Sequence, residues 1–238
     1  MEQKSRVIVL RTVKYSDSKL IVDFLSREEG RVSALWKIAS SRNAKVKRQF
    51  FQPLTILEAD LSRSPRQQLA QIKDARMAHP YSTLTFDGIK LSICFFIAEF
   101  LLYATRDVRI EPLLYDFIEN SLIWLDSTDR GTANFHLMFM MRLTRFLGFQ
   151  PDMDSYNENA FFDLREGCFT PYAPLHKDFL KPEDAQQMML LMRMTPSNIH
   201  LFKLTRVERN RITDLCLLFY RLHIPQFGEM KALQVLRS

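Results

Sequence analysis

The sequence predicts an α+β protein, in which a five-stranded N-terminal β-barrel of the OB type precedes a mostly α-helical domain. In five short segments before residue 80, apolar residues recur with a period of two and β-branched residues are frequent. From His79-Pro80 onward the apolar period changes to about 3.6, which is the period of amphipathic helices. We therefore expect a domain at 1–80 and a second domain at 81–238.

The strand assignments rest on turn residues that interrupt these apolar segments. Strands are predicted at 6–14, 20–25, 31–38, 54–61 and, more weakly, 68–75. Gly30 is well placed for the positive φ of a turn before the third strand. Five short strands with one long loop match a small Greek-key barrel of the OB type, whose open face and loops bind nucleic acid. An SH3-like barrel would account for the strand count equally well.

Helices in the second domain are bounded by capping residues and helix breakers. They are predicted at 87–105, 112–125, 134–147, 182–194 and 205–222. Asp87 can cap the first helix, and Pro112 stands at a first-turn position of the second. Between the third and fourth helices, the residues near 160–170 predict a short β-hairpin insertion.

Composition and charge limit the class of protein. The chain has 238 residues, of which 47% are hydrophobic and 25% charged, as expected for a folded globular protein. The net charge of +6 is uneven, because residues 1–80 hold sixteen Lys and Arg against eight Asp and Glu. No apolar run is long enough for a membrane span and no signal peptide is evident, so a cytoplasmic location is expected. Three widely spaced cysteines predict no disulfide framework.

The segment from Gly30 to Leu57 contains no Asp or Glu, and it predicts a nucleic-acid-binding surface. Its six cations are Arg31, Lys37, Arg42, Lys45, Lys47 and Arg48. Clustered cations bind a polyanion by releasing its condensed counterions, and a nearby aromatic ring such as Phe50 can stack on bases. Arg11 and Lys14 of the first strand complete the candidate surface. A solvated loop followed by core phenylalanines is the alternative interpretation.

Catalytic motifs are missing from the sequence. It has no Gly-rich phosphate loop, no nucleophile elbow and no HExxH, and its five histidines are scattered. Asp152 and Asp154 could hold Mg²⁺ in principle, but a solvated acidic loop explains them better. We therefore predict a binding protein that is not an enzyme and has no cofactor.

Six segments follow one another in order along nearly the whole chain: Val7-Ile8-Val9-Leu10-Arg11-Thr12, Gly30-Arg31-Val32-Ser33-Ala34-Leu35, Arg48 with Gln52-Pro53-Leu54, Ile97-Ala98-Glu99-Phe100-Leu101, Leu147-Gly148-Phe149-Gln150-Pro151, and Tyr220-Arg221-Leu222-His223 with Phe227-Gly228. Together these segments resemble the RecO family of bacterial recombination mediators. The resemblance implies an OB domain, binding of single- and double-stranded DNA, annealing of complementary strands, and help in loading recombinase. It also implies partnership with RecR and with single-strand-binding protein.

Two further expectations follow from this resemblance. Contact with the acidic, apolar C-terminal tail of single-strand-binding protein would need a groove with a cation beside it, which Arg142 or Arg145 could supply. Many relatives place four zinc-binding cysteines after the Leu-Gly-Phe-x-Pro segment, whereas here only Cys168 follows, with His176 as the nearest other ligand. One thiol and one imidazole cannot close a tetrahedral structural site, so we predict no zinc.

A second function fits the same charge and aromatic pattern. An RNA-binding OB-fold protein of translation or ribosome assembly would also carry a basic loop with neighbouring aromatic residues. Competition between single-stranded DNA and structured RNA separates the two hypotheses.

Overall fold

The computed structural model describes residues 2–37, 49–63 and 69–237. Two compact units make up the chain: Met1–Ser127 with Met230–Ser238, called unit 1, and Thr128–Glu229, called unit 2. The helices are α1 (Gly88–Ala104), α2 (Pro112–Ser127), α3 (Phe135–Leu147), α4 (Pro182–Arg193), α5 (Arg206–His223) and α6 (Ala232–Arg237). None of the helices in the described ranges is long and apolar enough to cross a membrane.

A closed five-stranded barrel forms the first part of unit 1. Its strands are β1 (Glu2–Ser16), β2 (Lys19–Ser26), β3 (Gly30–Lys37), β4 (Ile56–Ser62) and β5 (Ala70–His79). They pair in the order β1-β2-β3-β5-β4, and β4 closes the barrel on β1. Only the β3–β5 pairing is parallel. The predicted OB-type barrel is confirmed, and its last strand, which the sequence indicated weakly, is ten residues long.

Alternation of side chains along the strands fills the barrel. Small and β-branched residues of β1 to β3 point inward together with Phe24 and Trp36, as the period of two requires. Phe51 also belongs to this core. Its ring centroid lies 4.6 Å from that of Trp36, and its carbonyl accepts a hydrogen bond from Thr12 at 2.7 Å. Phe50 packs against the same core and is half-buried.

Helices α1, α2 and α6 complete unit 1. Helix α1 is apolar on most of its circumference, and Asp87 caps its N-terminus by accepting hydrogen bonds from the backbone N–H groups of Ile89 and Lys90. Helix α6, which the sequence analysis did not identify, is joined to α1 by a hydrogen bond of 2.6 Å from the Ala232 N–H to Glu99.

Unit 2 contains α3, α4, α5 and a small antiparallel sheet. The sheet pairs β6 (Phe161–Asp163) with β7 (Cys168–Thr170) and adds a third strand, β8 (Phe179–Leu180), that the sequence analysis did not identify. A capping box of Thr205 and Glu208 begins α5. The methionines of α3 are buried, so they fill the core of this unit.

Candidate nucleic-acid interface

Strands β1, β2 and β3 present four rows of side chains on the outside of the barrel. The strand register aligns Ile8 with Leu25 and Arg31, then Arg11 with Asp23 and Ser33, then Val13 with Ile21 and Leu35, and finally Lys19 with Lys37. Ile8 and Leu25 are fully buried. The other three rows are accessible apart from the buried Asp23, and together with Tyr15 they are called the open face below.

A β-bulge in β1 determines which residues reach the open face. The pairing of β1 with β2 shifts between Val9 and Arg11, so that Leu10 is inserted and remains buried. Beyond the bulge Arg11, Val13 and Tyr15 follow one another at intervals of two and are all exposed. The bulge therefore turns the second half of β1 outward.

The first row of the open face is electrically balanced. Arg11 donates two hydrogen bonds to one carboxylate oxygen of Asp23, from Nε at 3.0 Å and from a terminal nitrogen at 2.7 Å. Ser33 donates to the other oxygen at 2.6 Å. Asp23 is buried, whereas more than half of the Arg11 side chain is exposed. The exposed part of the Arg11 side chain can thus contact a ligand while the guanidinium stays paired with the Asp23 carboxylate.

The second row and Tyr15 form a small apolar surface. Ile21 and Leu35 are half-buried, Val13 is 43% exposed and Tyr15 is 64% exposed. The Tyr15 side chain makes no hydrogen bond or ring contact with any residue that the structure describes. An exposed aromatic ring on a barrel strand is the kind of group on which a nucleic-acid base stacks.

The third row places two lysines directly opposite each other. Lys19 pairs with Lys37 across β2 and β3. Within the described ranges, neither ammonium group has a hydrogen bond or an ion pair. Like charges directly opposite in a sheet are destabilising, so this row favours an anion supplied from outside.

The outward face of β1, β4 and β5 differs in charge. Lys4 lies opposite Asp60 and Asp60 opposite Asp74, while Arg76 forms an ion pair with Glu58. Three carboxylates thus accompany two cations in the shallow pocket on this face. Its charge makes it a poor surface for a polyanion and a suitable location for control substitutions.

The predicted binding residues lie in several different environments. Lys37 and Arg11 belong to the open face. Lys14 forms an ion pair of 2.6 Å with Asp17 in the neighbouring turn, and Arg31 donates to the Leu102 carbonyl at 2.8 Å. The remaining predicted loop cations lie outside the described residues: Arg42, Lys45, Lys47 and Arg48.

The site residues predicted from the sequence do not include Tyr15 or Lys19. The predicted first strand ends at Lys14, whereas the spacing Arg11-x-Val13-x-Tyr15 places all three side chains on one face of a longer strand. Lys19 was not predicted because its partner across the sheet depends on the strand register. Only the pairing of β2 with β3 reveals that it lies opposite Lys37.

In unit 2, the two predicted partner-binding arginines are both exposed on α3. Arg142 and Arg145 make no ion pair with the described residues. They share a helix face with Phe146, which is half-buried, because positions three and four apart are neighbours on a helix. Phe149, just beyond the helix, stacks on His223 with the ring centroids 4.8 Å apart.

Cys168 and His176 are both engaged near the small sheet of unit 2. His176 Nε2 lies 3.1 Å from an oxygen of Asp163, and its Nδ1 accepts a hydrogen bond from the Asp178 N–H at 3.2 Å. Burial and nearby carboxylates raise the pKa of the Cys168 thiol, which disfavours the thiolate that metals bind. No three His, Cys, Asp or Glu side chains come together as a metal site in ranges 2–37, 49–63 and 69–237.

Comparison with known proteins gives consistent matches over the whole chain. Residues 1–81 match the family model described as Recombination protein O N terminal, and residues 85–231 match Recombination protein O C terminal. The DNA repair protein RecO of Phocaeicola vulgatus is 44% identical over 238 residues, covering 100% of this chain and 99% of that protein. The RecO protein of Bacteroides fragilis is 38% identical over 239 residues, with the same coverage. The chain therefore belongs to the RecO family of DNA repair proteins.

Proposed function

We propose that this protein is a non-enzymatic mediator of DNA repair and recombination. On this proposal it binds single- and double-stranded DNA through the open face and through the basic loop, which is the segment from Lys37 to Arg48 that follows β3 in the sequence. On this proposal it anneals complementary strands and helps to load recombinase onto DNA coated with single-strand-binding protein. It would act with RecR in the cytoplasm, at the nucleoid. The family supports the DNA repair role, and the chemistry of the open face supports DNA as the ligand.

The row formed by Lys19 and Lys37 is the observation that carries the proposal. Lys19 and Lys37 lie opposite each other in the strand register, next to an apolar row, and neither pairs with a carboxylate of the described residues. A phosphodiester backbone would neutralise both cations and relieve their mutual repulsion. Bases attached to that backbone would meet Val13, Ile21 and Leu35, with Tyr15 available for stacking.

This arrangement also suits annealing. Phosphate neutralisation lowers the repulsion between two DNA strands that approach the same surface, because each cation contact replaces condensed counterions. Apolar and stacking contacts do not use the hydrogen-bonding edges of the bases. A bound strand can therefore offer those edges to a complementary strand.

The tail of single-strand-binding protein is assigned to unit 2 in this proposal. Arg142 and Arg145 provide two cations beside Phe146, which matches an acidic peptide with apolar residues. Separate surfaces for the tail and for DNA would let the protein hold the coating protein while it binds the strand. RecR is proposed as a partner on the basis of family membership alone.

The direct test replaces both lysines of the third row. The salt slope is the fall in the logarithm of the binding constant per tenfold increase in salt concentration. Lys19→Gln with Lys37→Gln should reduce this slope for single-stranded DNA by up to about 1.4, since each phosphate contact contributes about 0.7. Tyr15→Ala should weaken binding by about 1–3 kcal/mol if it stacks on one base. Both effects can be measured by fluorescence anisotropy with a labelled oligonucleotide at several salt concentrations.

A matched control removes two charges elsewhere on the barrel. Lys4→Gln with Arg76→Gln changes the net charge equally but lies on the outward face of β1, β4 and β5. Equal losses in the two double variants would indicate a non-specific charge effect and would contradict the assignment of the open face. Annealing of strands coated with cognate single-strand-binding protein then tests the mediator role itself.

RNA binding in translation or ribosome assembly is the competing function. The open face would attract RNA phosphates as well as DNA phosphates. Competition between single-stranded DNA and structured RNA at equal salt distinguishes them, and a marked preference for RNA would overturn the proposal.

A further inference from the structure

Arg31 is the exception among the arginines of the barrel. Five others that the structure describes before residue 80 each form an ion pair with a carboxylate: Arg6, Arg11, Arg27, Arg63 and Arg76. Arg31 is half-buried, yet it forms no ion pair with any described residue. Among the residues that the structure describes, its side chain donates one hydrogen bond, to the Leu102 carbonyl at 2.8 Å, although a guanidinium has five N–H donors.

The surroundings of Arg31 increase its need for an anion. Burial is the largest effect lowering its pKa, and the nearby cations Arg106 and Arg11 act in the same direction. Asp23 and Asp107 oppose this change, but Asp23 already accepts hydrogen bonds from Arg11. A partly desolvated cation that lacks its own counter-ion is costly, and an external anion would offset that cost.

Arg31 lines a cleft of about 470 Å³ within unit 1, between the β2–β3 turn and the segment before α2. Arg109 lines the same cleft, is exposed, and has no ion pair with the described residues. Gly30 joins the two sides of the cleft: its φ of +76° favours glycine, and a Cβ there would be in ordinary contact with Ile110, 3.5 Å from its Cβ.

The other charged groups of the cleft do not neutralise Arg31. Arg27 is held by Asp116 at 2.7 Å, and Glu29 is held by Arg63 at 2.7 Å. Glu28 accepts a hydrogen bond from Ser26 at 3.2 Å, and Glu111 is exposed. These two glutamates are exposed and stay hydrated at little cost, whereas the half-buried guanidinium of Arg31 cannot. The unsatisfied charge in the cleft is therefore positive.

We infer that Arg31 and Arg109 form a phosphate-binding site that extends the proposed DNA surface from the barrel onto the loop between α1 and α2. This inference rests on the proposed function. Arg31 and Lys37 lie at opposite ends of β3, six residues and therefore about 20 Å apart. One strand that follows the open face would contact the lysine row at one end and the arginine cleft at the other, with Arg11 between them.

The length of the bound strand provides the test. An oligonucleotide of about 4 nucleotides is expected to occupy the lysine row, where Tyr15 can stack on a base, whereas one of about 16 nucleotides can also reach the arginine cleft. Arg109→Gln should lower the salt slope by up to about 0.7 on the long strand and leave the short strand unaffected. Arg31→Gln should act in the same way, with Arg76→Gln as the control of equal charge change.

The lysine variants separate failure of this inference from failure of the proposed function. If Lys19→Gln with Lys37→Gln weakens binding but folded Arg109→Gln and Arg31→Gln keep the parent slope at both lengths, the arginine site is wrong and the open face stands. If the lysine variants bind as the parent does, the proposed function of that face is wrong. If Arg31→Gln does not fold, the result for Arg109→Gln alone decides whether the arginine site is right. The Arg109 side chain is exposed, so this variant is expected to fold.

Discussion

The ammonium group of Lys90 donates a hydrogen bond to the backbone carbonyl of Asp126 at 3.0 Å, and Lys90 is only 2% exposed. It also donates to the Thr83 hydroxyl at 2.6 Å. The Asp126 carboxylate accepts hydrogen bonds from the backbone N–H groups of Ser82, Thr83 and Leu84. These contacts attach residues 82–84, which follow the last strand of the barrel, to the C-terminal end of α2.

Removal of the Asp126 carboxylate should therefore destabilise unit 1. Asp126→Ala leaves three backbone N–H groups without their acceptor, and that of Leu84 is buried, so we expect a loss of about 3 kcal/mol in the free energy of unfolding. Asp116→Asn in the same helix breaks a more exposed ion pair with Arg27 and should cost less than about 1 kcal/mol. Urea unfolding followed by tryptophan fluorescence is selective here, because both tryptophans, Trp36 and Trp124, lie in unit 1. Equal midpoints for the two variants would contradict this role of Asp126.

The same carboxylate should make unit 1 sensitive to acid. Burial tends to raise the pKa of Asp126, but the hydrogen bonds from Ser82, Thr83 and Leu84 outweigh it and hold the pKa at about 2, below the ordinary value of 3.8 for an aspartate. Because the folded-state pKa is the lower one, the unfolded state binds more protons in this range. The stabilisation, about 2 kcal/mol, is present above the unfolded value and is lost as pH falls from about 4 towards 2.

Asp126→Asn is the variant that isolates this acid effect, since its amide does not titrate in that range. The difference in unfolding midpoint between parent and Asp126→Asn should shrink as the pH is lowered through the window. Other carboxylates with lowered pKa, such as Glu58 and Asp116, contribute equally to both proteins and cancel in the difference. A difference that stays constant from neutral pH to about pH 2 would show that the Asp126 pKa is not depressed.

The sequence predicted the barrel because an alternating pattern and its turn residues are local signals. It predicted the five long helices for the same reason, since caps such as Asp87 and breakers such as Gly148 stand beside them. Strand β8 has two residues and helix α6 has six, which are too short for a periodic pattern. Their positions depend on tertiary contacts, such as the hydrogen bond from Ala232 to Glu99.

The site was less predictable, because it depends on which residues lie opposite each other. Charge counting identified Lys37 and Arg31, but it could not distinguish an exposed lysine from a half-buried arginine bonded to Leu102. The bulge at Leu10 and the register of β2 with β3 bring Tyr15 and Lys19 to the surface that Lys37 shares. Neither the bulge nor the register is encoded in a short motif.

Zinc should not bind stoichiometrically to this protein. The chain has three widely spaced cysteines and no cysteine quartet, and both ring nitrogens of His176 are engaged by Asp163 and Asp178. Elemental analysis after dialysis against a weak chelator should find far less than one zinc per chain. About one zinc per chain, lost together with Cys168→Ala, would overturn this prediction.

The two exposed arginines of α3 should affect partner binding and not DNA binding. Arg142→Ala or Arg145→Ala should weaken binding of the C-terminal tail peptide of single-strand-binding protein, because each removes a charge-assisted contact with an acidic peptide. Anisotropy titrations with labelled peptide and with labelled DNA give the two affinities separately. Arg193→Ala, at the exposed end of α4 in the same unit, serves as the charge control. Parallel loss of both activities would contradict the assignment to separate surfaces.

The basic loop should supply a large part of the DNA affinity together with the open face. If all six cations of the acid-free segment contacted phosphates, the logarithm of the binding constant would fall by about 4 units per decade of salt on single strands. Replacing Lys45, Lys47 and Arg48 together by Ala should remove up to about 2 units of that slope. The loss should depend little on base sequence, because phosphate contacts position a strand without specifying its bases. A triple variant that circular dichroism shows to be folded, and that keeps the parent's affinity and slope, would show that these three loop cations do not contribute and would restrict binding to the open face and the arginine cleft.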